Sequence, residues 1–352
     1  MDNVYTQFSG NNPFASQAKM LFHGDRLSTY LASGDCRPIF CEVNLTNVCN
    51  LCCQWCISEN FKTNRDTLET VPLLRFAEQF RGMGGRAVTF SGGGEPTLHP
   101  DFAVCVEHFH AVGLELGLMT NGTYDESLND PIAANCQWLR ISLDTLDRTH
   151  YKTWKGADRI DRVLANISAL AALKSPIKVG INCNVHKNLT IAEVDALINM
   201  LDECAISYLQ FRPLIPRYFK DEGLALNTRV WNYLLTVKDP RINYSYDKYN
   251  DLIGGRSFPF RACEAHRLSF VVNSNGDVCT CMYHPGDRRF VFGNIYQNSL
   301  VDIWASEQRR DVVAFLRTTL DMEHECQPCC KLCELNKLFD FLTTTGLDIN
   351  FL

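Results

Sequence analysis

Between residue 38 and about residue 216, short apolar runs alternate with stretches of helical period. "PIFCEVNL" reads as a strand and "LLRFAEQFRGMG" as a helix. The alternation continues through "RAVTFSG", "FAVCVEHFHAVG", "LELGLMTN", "DPIAAN", "QWLRISLD", "RVLANISALAALKS", "KVGINCNV", "AEVDALINMLDECA" and "YLQFRPLI". Counting a further helix after "YFKDEG", six strand and helix pairs result. Strands interleaved with helices at this spacing predict a parallel sheet with right-handed crossovers. Six units fall short of a closed eightfold barrel, so an α/β fold of open partial-barrel or doubly wound type is expected, with chemistry at the C-terminal strand ends.

After about residue 217 the rhythm changes. "HRLSFVVNSNGDVCTCMY" is two alternating runs around Asn275 and Gly276, a hairpin signal. "SLVDIWASEQRRDVVAFLRTTL" carries Leu300, Ile303, Trp304, Val312, Phe315 and Leu316 near helical spacing and predicts one long helix before a cysteine cluster and a last helix. The expected organisation is an extension over 1–37, a partial barrel over 38–235 and a smaller unit over 236–352. Net charge of −6 argues against a nucleic-acid partner, and no apolar run is long enough to span a membrane. The start lacks the basic then apolar order of a secretory signal, so a cytoplasmic protein is expected.

Cysteine usage changes the picture. The chain has 17, clumped at 49–56, 263–281 and 326–333. Without an export signal, metal or cluster ligation is the better reading than a disulfide scaffold. Cys49, Cys53 and Cys56 are spaced CxxxCxxC in the loop after the first strand, and Cys52 forms a competing CxxC with Cys49. Three thiolates at this spacing can wrap a cube of iron and sulfide with one iron left open. A structural zinc site is the alternative, but it usually needs a second ligand pair.

With Trp55 at the aromatic position, CxxxCxxC resembles the cluster motif of the radical S-adenosylmethionine (radical SAM) superfamily, which implies a partial (β/α)6 barrel around S-adenosylmethionine and a [4Fe-4S] cluster. "FSGGGEP" after the second strand resembles the element in which Gly93, Gly94 and Glu95 would contact the methionine amino group. Glycines let backbone carbonyls approach an ammonium, and a carboxylate pairs with it. By the same resemblance Asn121 in "MTNGT", Ser142 and Asp144 in "RISLD", and Asn182 and Asn184 in "VGINCNV" would line the cofactor site, and Arg212 at the end of the sixth strand is a candidate to hold a carboxylate of cofactor or substrate. The implied reaction breaks the cofactor's carbon–sulfur bond, and the resulting 5'-deoxyadenosyl radical abstracts hydrogen from an unactivated carbon.

The second set reads C-x12-G-x4-C from Cys263 through Gly276 to Cys281, then a 44-residue gap and a CxxC at Cys326 and Cys329. A hairpin, helix and CxxC resemble the twitch domain, a shortened SPASM domain that holds one auxiliary [4Fe-4S] cluster. Spacing favours Cys326 and Cys329 over Cys330 and Cys333, and a zinc ribbon is the alternative. Two clusters in all are expected, with a flavodoxin- or ferredoxin-type electron donor. One twitch-type cluster resembles the group acting on sugars and aminocyclitols, such as 2-deoxy-scyllo-inosamine dehydrogenase and neomycin C epimerase. The implied reaction is oxidation at a carbinol carbon with the auxiliary cluster as electron acceptor. The alternatives are epimerisation, with Cys279 or Cys183 as hydrogen donor, and modification of a peptide.

Overall fold

A computed structural model describes residues 17–59, 64–204, 206–215, 227–253, 258–284, 286–327 and 330–344. A 3-10 turn, Gln17–His23, leads into α1 (Gly24–Ser33), which Gly34 ends in the left-handed conformation at φ 74°. The repeating layer is β1 (Phe40–Asn44), α2 (Thr70–Gly82), β2 (Ala87–Ser91), α3 (Phe102–Ala111), β3 (Glu115–Thr120), α4 (Asn129–Asn135) and β4 (Cys136–Ser142). It continues with α5 (Arg148–Lys155), α6 (Ile160–Ala172), β5 (Lys178–Val185), α7 (Ile191–Glu203), β6 (Tyr208–Pro213), α8 (Thr228–Leu234), β7 (Ile242–Tyr244) and α9 (Tyr246–Ile253). The C-terminal elements are β8 (Ser269–Val272), β9 (Asp277–Cys279), β10 (Val291–Asn294), α10 (Leu300–Ala305), α11 (Glu307–Thr318), α12 (Met322–Glu325) and α13 (Cys333–Thr343).

All the strands share one sheet in the order β10-β9-β8-β1-β2-β3-β4-β5-β6-β7. The pairs from β8 through β7 are parallel, and β9 and β10 close the other edge antiparallel. This is the expected partial-barrel α/β fold. The predicted hairpin is β8–β9, turning at Asn275–Gly276 with Gly276 at φ 86°. Its strands continue the barrel sheet beside β1 instead of forming a sheet of their own. β7 and α5 went unpredicted: β7 is too short to carry a period, and α5 is mostly polar, burying Tyr151, Trp154 and Lys155. The single long helix expected after the hairpin is two, α10 and α11. Ser306 is extended between them, and its hydroxyl caps α11 by accepting from Arg309 N.

Each strand alternates. Cys41, Val43, Val88, Phe90, Leu116, Leu118, Ile181 and Phe211 face the helices and pack with Phe76, Phe80, Phe102, Phe109 and Leu197 in one core. The opposite face, the barrel lumen, is polar. Glu42 pairs in register with Thr89 and Asn44 with Ser91, and Ser142, Asn182, Gln210 and Asn243 form a row across β4 to β7. Sheets of this kind are usually apolar on both faces. Burying a polar side chain without a partner costs roughly 1–3 kcal/mol, so a polar lumen points to polar contents. Among the described residues no helix is long and apolar enough to cross a membrane.

Candidate active site

β1 runs directly into the first cysteine loop, and the glycine turn after β2 is bonded to it. Gly94 N donates to Thr46 O at 2.9 Å and Glu95 N to Val48 O at 2.8 Å. A Cβ on Gly94 would lie 2.1 Å from the Val48 carbonyl oxygen, so only glycine permits this approach. The cysteine loop and the "GGGE" turn are therefore one rigid unit, and Gly93 lies inside it.

Cys49, Cys53 and Cys56 lie within electrostatic range of one another, and burial first, then the neighbouring groups, pushes the Cys49 thiol up to about 11. Cys52 is exposed; its backbone N donates to Lys155 O at 2.9 Å, and Gly156 packs against its carbonyl. Cys49 thus senses Cys53 and Cys56, while Cys52 stands exposed apart from them. Among the described residues no three Cys, His, Asp or Glu side chains converge tightly enough for a single metal ion. A four-iron cube takes its thiolates at separate corners, so it fits the wider arrangement, and its binding would displace the thiol protons. Asn47 Oδ1 and Asn182 Oδ1 are buried with no hydrogen-bond partner among the described residues, acceptors suited to a polar cofactor beside the thiols.

The remaining expected cofactor residues divide. Trp55 is buried and packs its ring 4.4 Å from His186 and 5.8 Å from Trp154. Glu95 accepts from Thr97 N, Thr97 Oγ1, Thr120 Oγ1 and Asn121 N, at 3.2, 2.7, 2.6 and 2.7 Å. Burial nonetheless holds its carboxyl above the usual range. Three of these donors fall on Oε1 and one on Oε2, so Glu95 orients the loop and Oε2 retains an acceptor position for an ammonium. Asn121 Nδ2 donates to Asn50 Oδ1 at 2.8 Å, tying the end of β3 to the cysteine loop. Ser142 and Asn182 face the lumen. Asp144 does not present an open carboxylate: it is wholly buried, 2.7 Å from Lys155 Nζ, and accepts from Asn184 N at 2.8 Å. A buried carboxylate must be neutralised locally, and Lys155 does so. Arg212 reaches Glu42 electrostatically across the lumen.

The two hydrogen-donor candidates separate by register. Cys183 shares the outward face of β5 with Ile181 in the hydrophobic core. Strand alternation puts it on the wrong side for a lumen reaction, which corrects that expectation. Cys279 pairs with Val271, which pairs with Glu42, so its side chain shares the lumen face. Its Sγ accepts from Asn273 Nδ2 at 3.2 Å, and Asn273 Oδ1 accepts from Asn44 Nδ2 at 3.0 Å.

In the second set, Cys263 interacts with Cys330, Cys281 and Cys326, and Cys281 with Cys326. Burial first, then these neighbours, pushes the Cys326 and Cys330 thiols up to about 12. Cys329, the expected partner of Cys326, lies outside the described residues, and Cys330 completes the group of four. Four thiols from three chain segments fit a second cluster.

Beside the second set lies a contact that sequence reading missed. Glu42, 3 % exposed on the lumen face of β1, is bonded to Ser91 Oγ and Lys331 Nζ. Burial would raise its carboxyl, but Lys331 and Ser91 outweigh that and hold it below the usual range. A charged residue inside the apolar run "PIFCEVNL" was the available signal for Glu42. Nothing local marked Lys331 or Lys155.

A sequence profile described as the Radical SAM superfamily matches residues 43–201, and one described as an iron-sulfur cluster-binding domain, SPASM, matches residues 263–334. The GTP 3',8-cyclase of Chlorobaculum tepidum is 28 % identical over 179 residues, 49 % of this chain, which spans about half of that relative's length (54 %). The tungsten-containing aldehyde ferredoxin oxidoreductase cofactor-modifying protein of Pyrococcus furiosus is 25 % identical over 333 residues, covering 87 % and 90 % of the two chains. Among solved structures, SuiB of Streptococcus suis bound to its precursor peptide SuiA superimposes with a TM-score of 0.66 at 17 % identity, covering 92 % of this chain and 78 % of that one. With the cysteine loop, the glycine turn and the second thiol set, these matches give the chain a radical SAM domain over residues 43–201 and an iron-sulfur cluster-binding SPASM domain over residues 263–334, whose cofactors are S-adenosylmethionine and [4Fe-4S] clusters.

Proposed function

We propose that this enzyme oxidises a carbinol carbon of a polyhydroxylated small molecule, a sugar or aminocyclitol, with the second thiol site taking up the electron. The single observation that carries the reading is the Glu42–Lys331 contact, which joins the polar lumen to the second thiol segment. Bound cofactors would supply hydrogen-atom abstraction at Cys49, Cys53 and Cys56, and one-electron transfer at Cys263, Cys281, Cys326 and Cys330. The chain's own residues do the rest. Glu42, Ser91 and Arg212 offer acceptors and donors for hydroxyl or amino groups. The buried lumen keeps water from the reacting carbon. Removing a carbinol hydrogen atom leaves one proton and one electron; Glu42, held as a carboxylate, takes the proton, and the second site takes the electron. The low-potential electron that starts turnover would come from a flavodoxin- or ferredoxin-type donor.

Cys279 supports a second reading, epimerisation with this thiol as hydrogen donor, because its side chain shares the lumen face with Glu42. The test is anaerobic reconstitution, about eight iron per chain being expected for two four-iron clusters. The protein is then incubated in deuterium oxide with aminocyclitols and sugars, including 2-deoxy-scyllo-inosamine, and 5'-deoxyadenosine release is followed. A ketone supports oxidation. Solvent deuterium at an inverted carbon supports epimerisation. Release of 5'-deoxyadenosine with peptides alone would overturn both.

A further inference from the structure

Three of the four thiols of the second site are each met by one N–H donor, two from adjacent residues after β9 and one from α13. Tyr283 N donates to Cys281 Sγ at 3.4 Å. His284 Nε2 lies 3.9 Å from Cys326 Sγ, and Asn336 Nδ2 lies 3.9 Å from Cys330 Sγ. Each is held by its own support. The His284 ring stacks on buried Phe290, centroids 3.7 Å apart and planes within 1°. Asn336 is fully buried, and its Oδ1 accepts from Glu264 N at 2.8 Å and Ala265 N at 2.7 Å. That pair of acceptor contacts settles the amide's orientation and turns Nδ2 toward the thiol. A cluster-bound thiolate can only accept, so the ring nitrogen of His284 that faces it carries the hydrogen.

We infer that Tyr283 N, His284 and Asn336 form an N–H···S cage that raises the reduction potential of the second cluster and makes it an electron acceptor. Hydrogen bonds to cluster and ligand sulfurs are among the groups that set such potentials. Reduction adds negative charge to the cluster. Donors aimed at its sulfurs stabilise the reduced form more than the oxidised one, so the potential rises. His284 and Asn336 are therefore positioning residues, acting through Cys326 and Cys330. The inference rests on the reading that Cys263, Cys281, Cys326 and Cys330 are the ligands, and it adds a direction of electron flow to the proposed oxidation.

The test uses the full chain with Cys49, Cys53 and Cys56 changed to Ala, so that the second cluster alone is reconstituted and titrated by electron paramagnetic resonance against mediator dyes. His284→Leu is expected to lower the midpoint potential with about four iron per chain retained. His284→Gln, which keeps an N–H donor, is expected to recover part of the shift. An unchanged midpoint in His284→Leu overturns the assignment. Loss of the iron in both His284 variants overturns it too, since the ring would then be a ligand or a structural wedge. Should the midpoint fall as expected while no ketone forms from any carbinol substrate, the cage stands and the oxidation reading fails. If a ketone forms and the midpoint does not shift, oxidation stands and the cage fails.

Discussion

Lys155 and Asp144 form an ion pair of 2.7 Å in which the side chains are 3 % and 0 % exposed, directly behind the loop that carries Cys53. Burial alone would lower the Lys155 ammonium, but Asp144, and after it Cys53, hold it above the usual lysine range. The pair braces the loop, since Cys52 N donates to Lys155 O. Lys155→Met removes the cation that pairs with buried Asp144. A loss of about 3–5 kcal/mol in urea unfolding is expected. Adding Asp144→Asn should restore part of it.

Gly94 tests the union of the two motifs. A methyl group there meets backbone, not a flexible side chain, so the glycine turn must move away from the cysteine loop. Gly94→Ala should reduce cleavage of S-adenosylmethionine more than tenfold, a barrier change of about 1.4 kcal/mol or more. Gly24→Ala, where an added Cβ meets nothing within 4 Å, is the matched control and should change nothing.

Cys52 and Cys53 are adjacent and should behave oppositely. Cys53→Ser is expected to remove about four iron per chain, the content of one cluster. Exposed Cys52→Ser should leave iron content and the visible spectrum unchanged. Equal losses in both would mean that the CxxC of Cys49 and Cys52 is the binding pair.

Glu42→Gln keeps the shape of the side chain and removes the proton acceptor. Formation of oxidised product should fall by about 10²–10⁴-fold, the usual contribution of a positioned base. Release of 5'-deoxyadenosine should continue, because the cysteine loop is untouched. A parallel fall in both would mean that Glu42 supports the fold and not the reaction.

Asp35 ties the N-terminal segment to two buried arginines, at 2.7 Å from Arg267 and 2.7 Å from Arg309. Burial would raise its carboxyl, but the two guanidiniums bring it down to about 2. A depressed acid pKa stabilises the fold above the unfolded value near 4 and loses that contribution as pH falls toward about 2. Asp35 is 42 % exposed, so solvent screening limits the effect. Asp35→Asn should cost about 2 kcal/mol at pH 7, less than breaking a wholly buried pair. The variant should also lose less stability than the parent between pH 4 and pH 2, as read by urea midpoints.

Much of the barrel was legible because strand alternation is a property of each segment by itself. β5 matches "KVGINCNV" residue for residue, and the six predicted strands from β1 to β6 all occur. The same alternation put Asn182 and Asn184 opposite Ile181, and it also removes Cys183 from the lumen. α5 and the break at Ser306 were missed for a local reason: a polar helix and a capped kink leave the apolar period nearly unchanged.

The sequence by itself determined the chemistry that short spacing controls: the Cys49, Cys53 and Cys56 triple, the glycine turn, the hairpin and the parallel fold. These depend on residues a few positions apart, whose relation the backbone period sets before the chain folds. Only the tertiary structure decided which groups meet across the sheet. Glu42 and Lys331 are 289 residues apart and touch because β8 pairs with β1, bringing the C-terminal segment over the mouth of the lumen. Cys330 joins Cys263, Cys281 and Cys326 for the same reason. Such contacts arise from burial and strand register summed over the whole chain, and no local pattern encodes them.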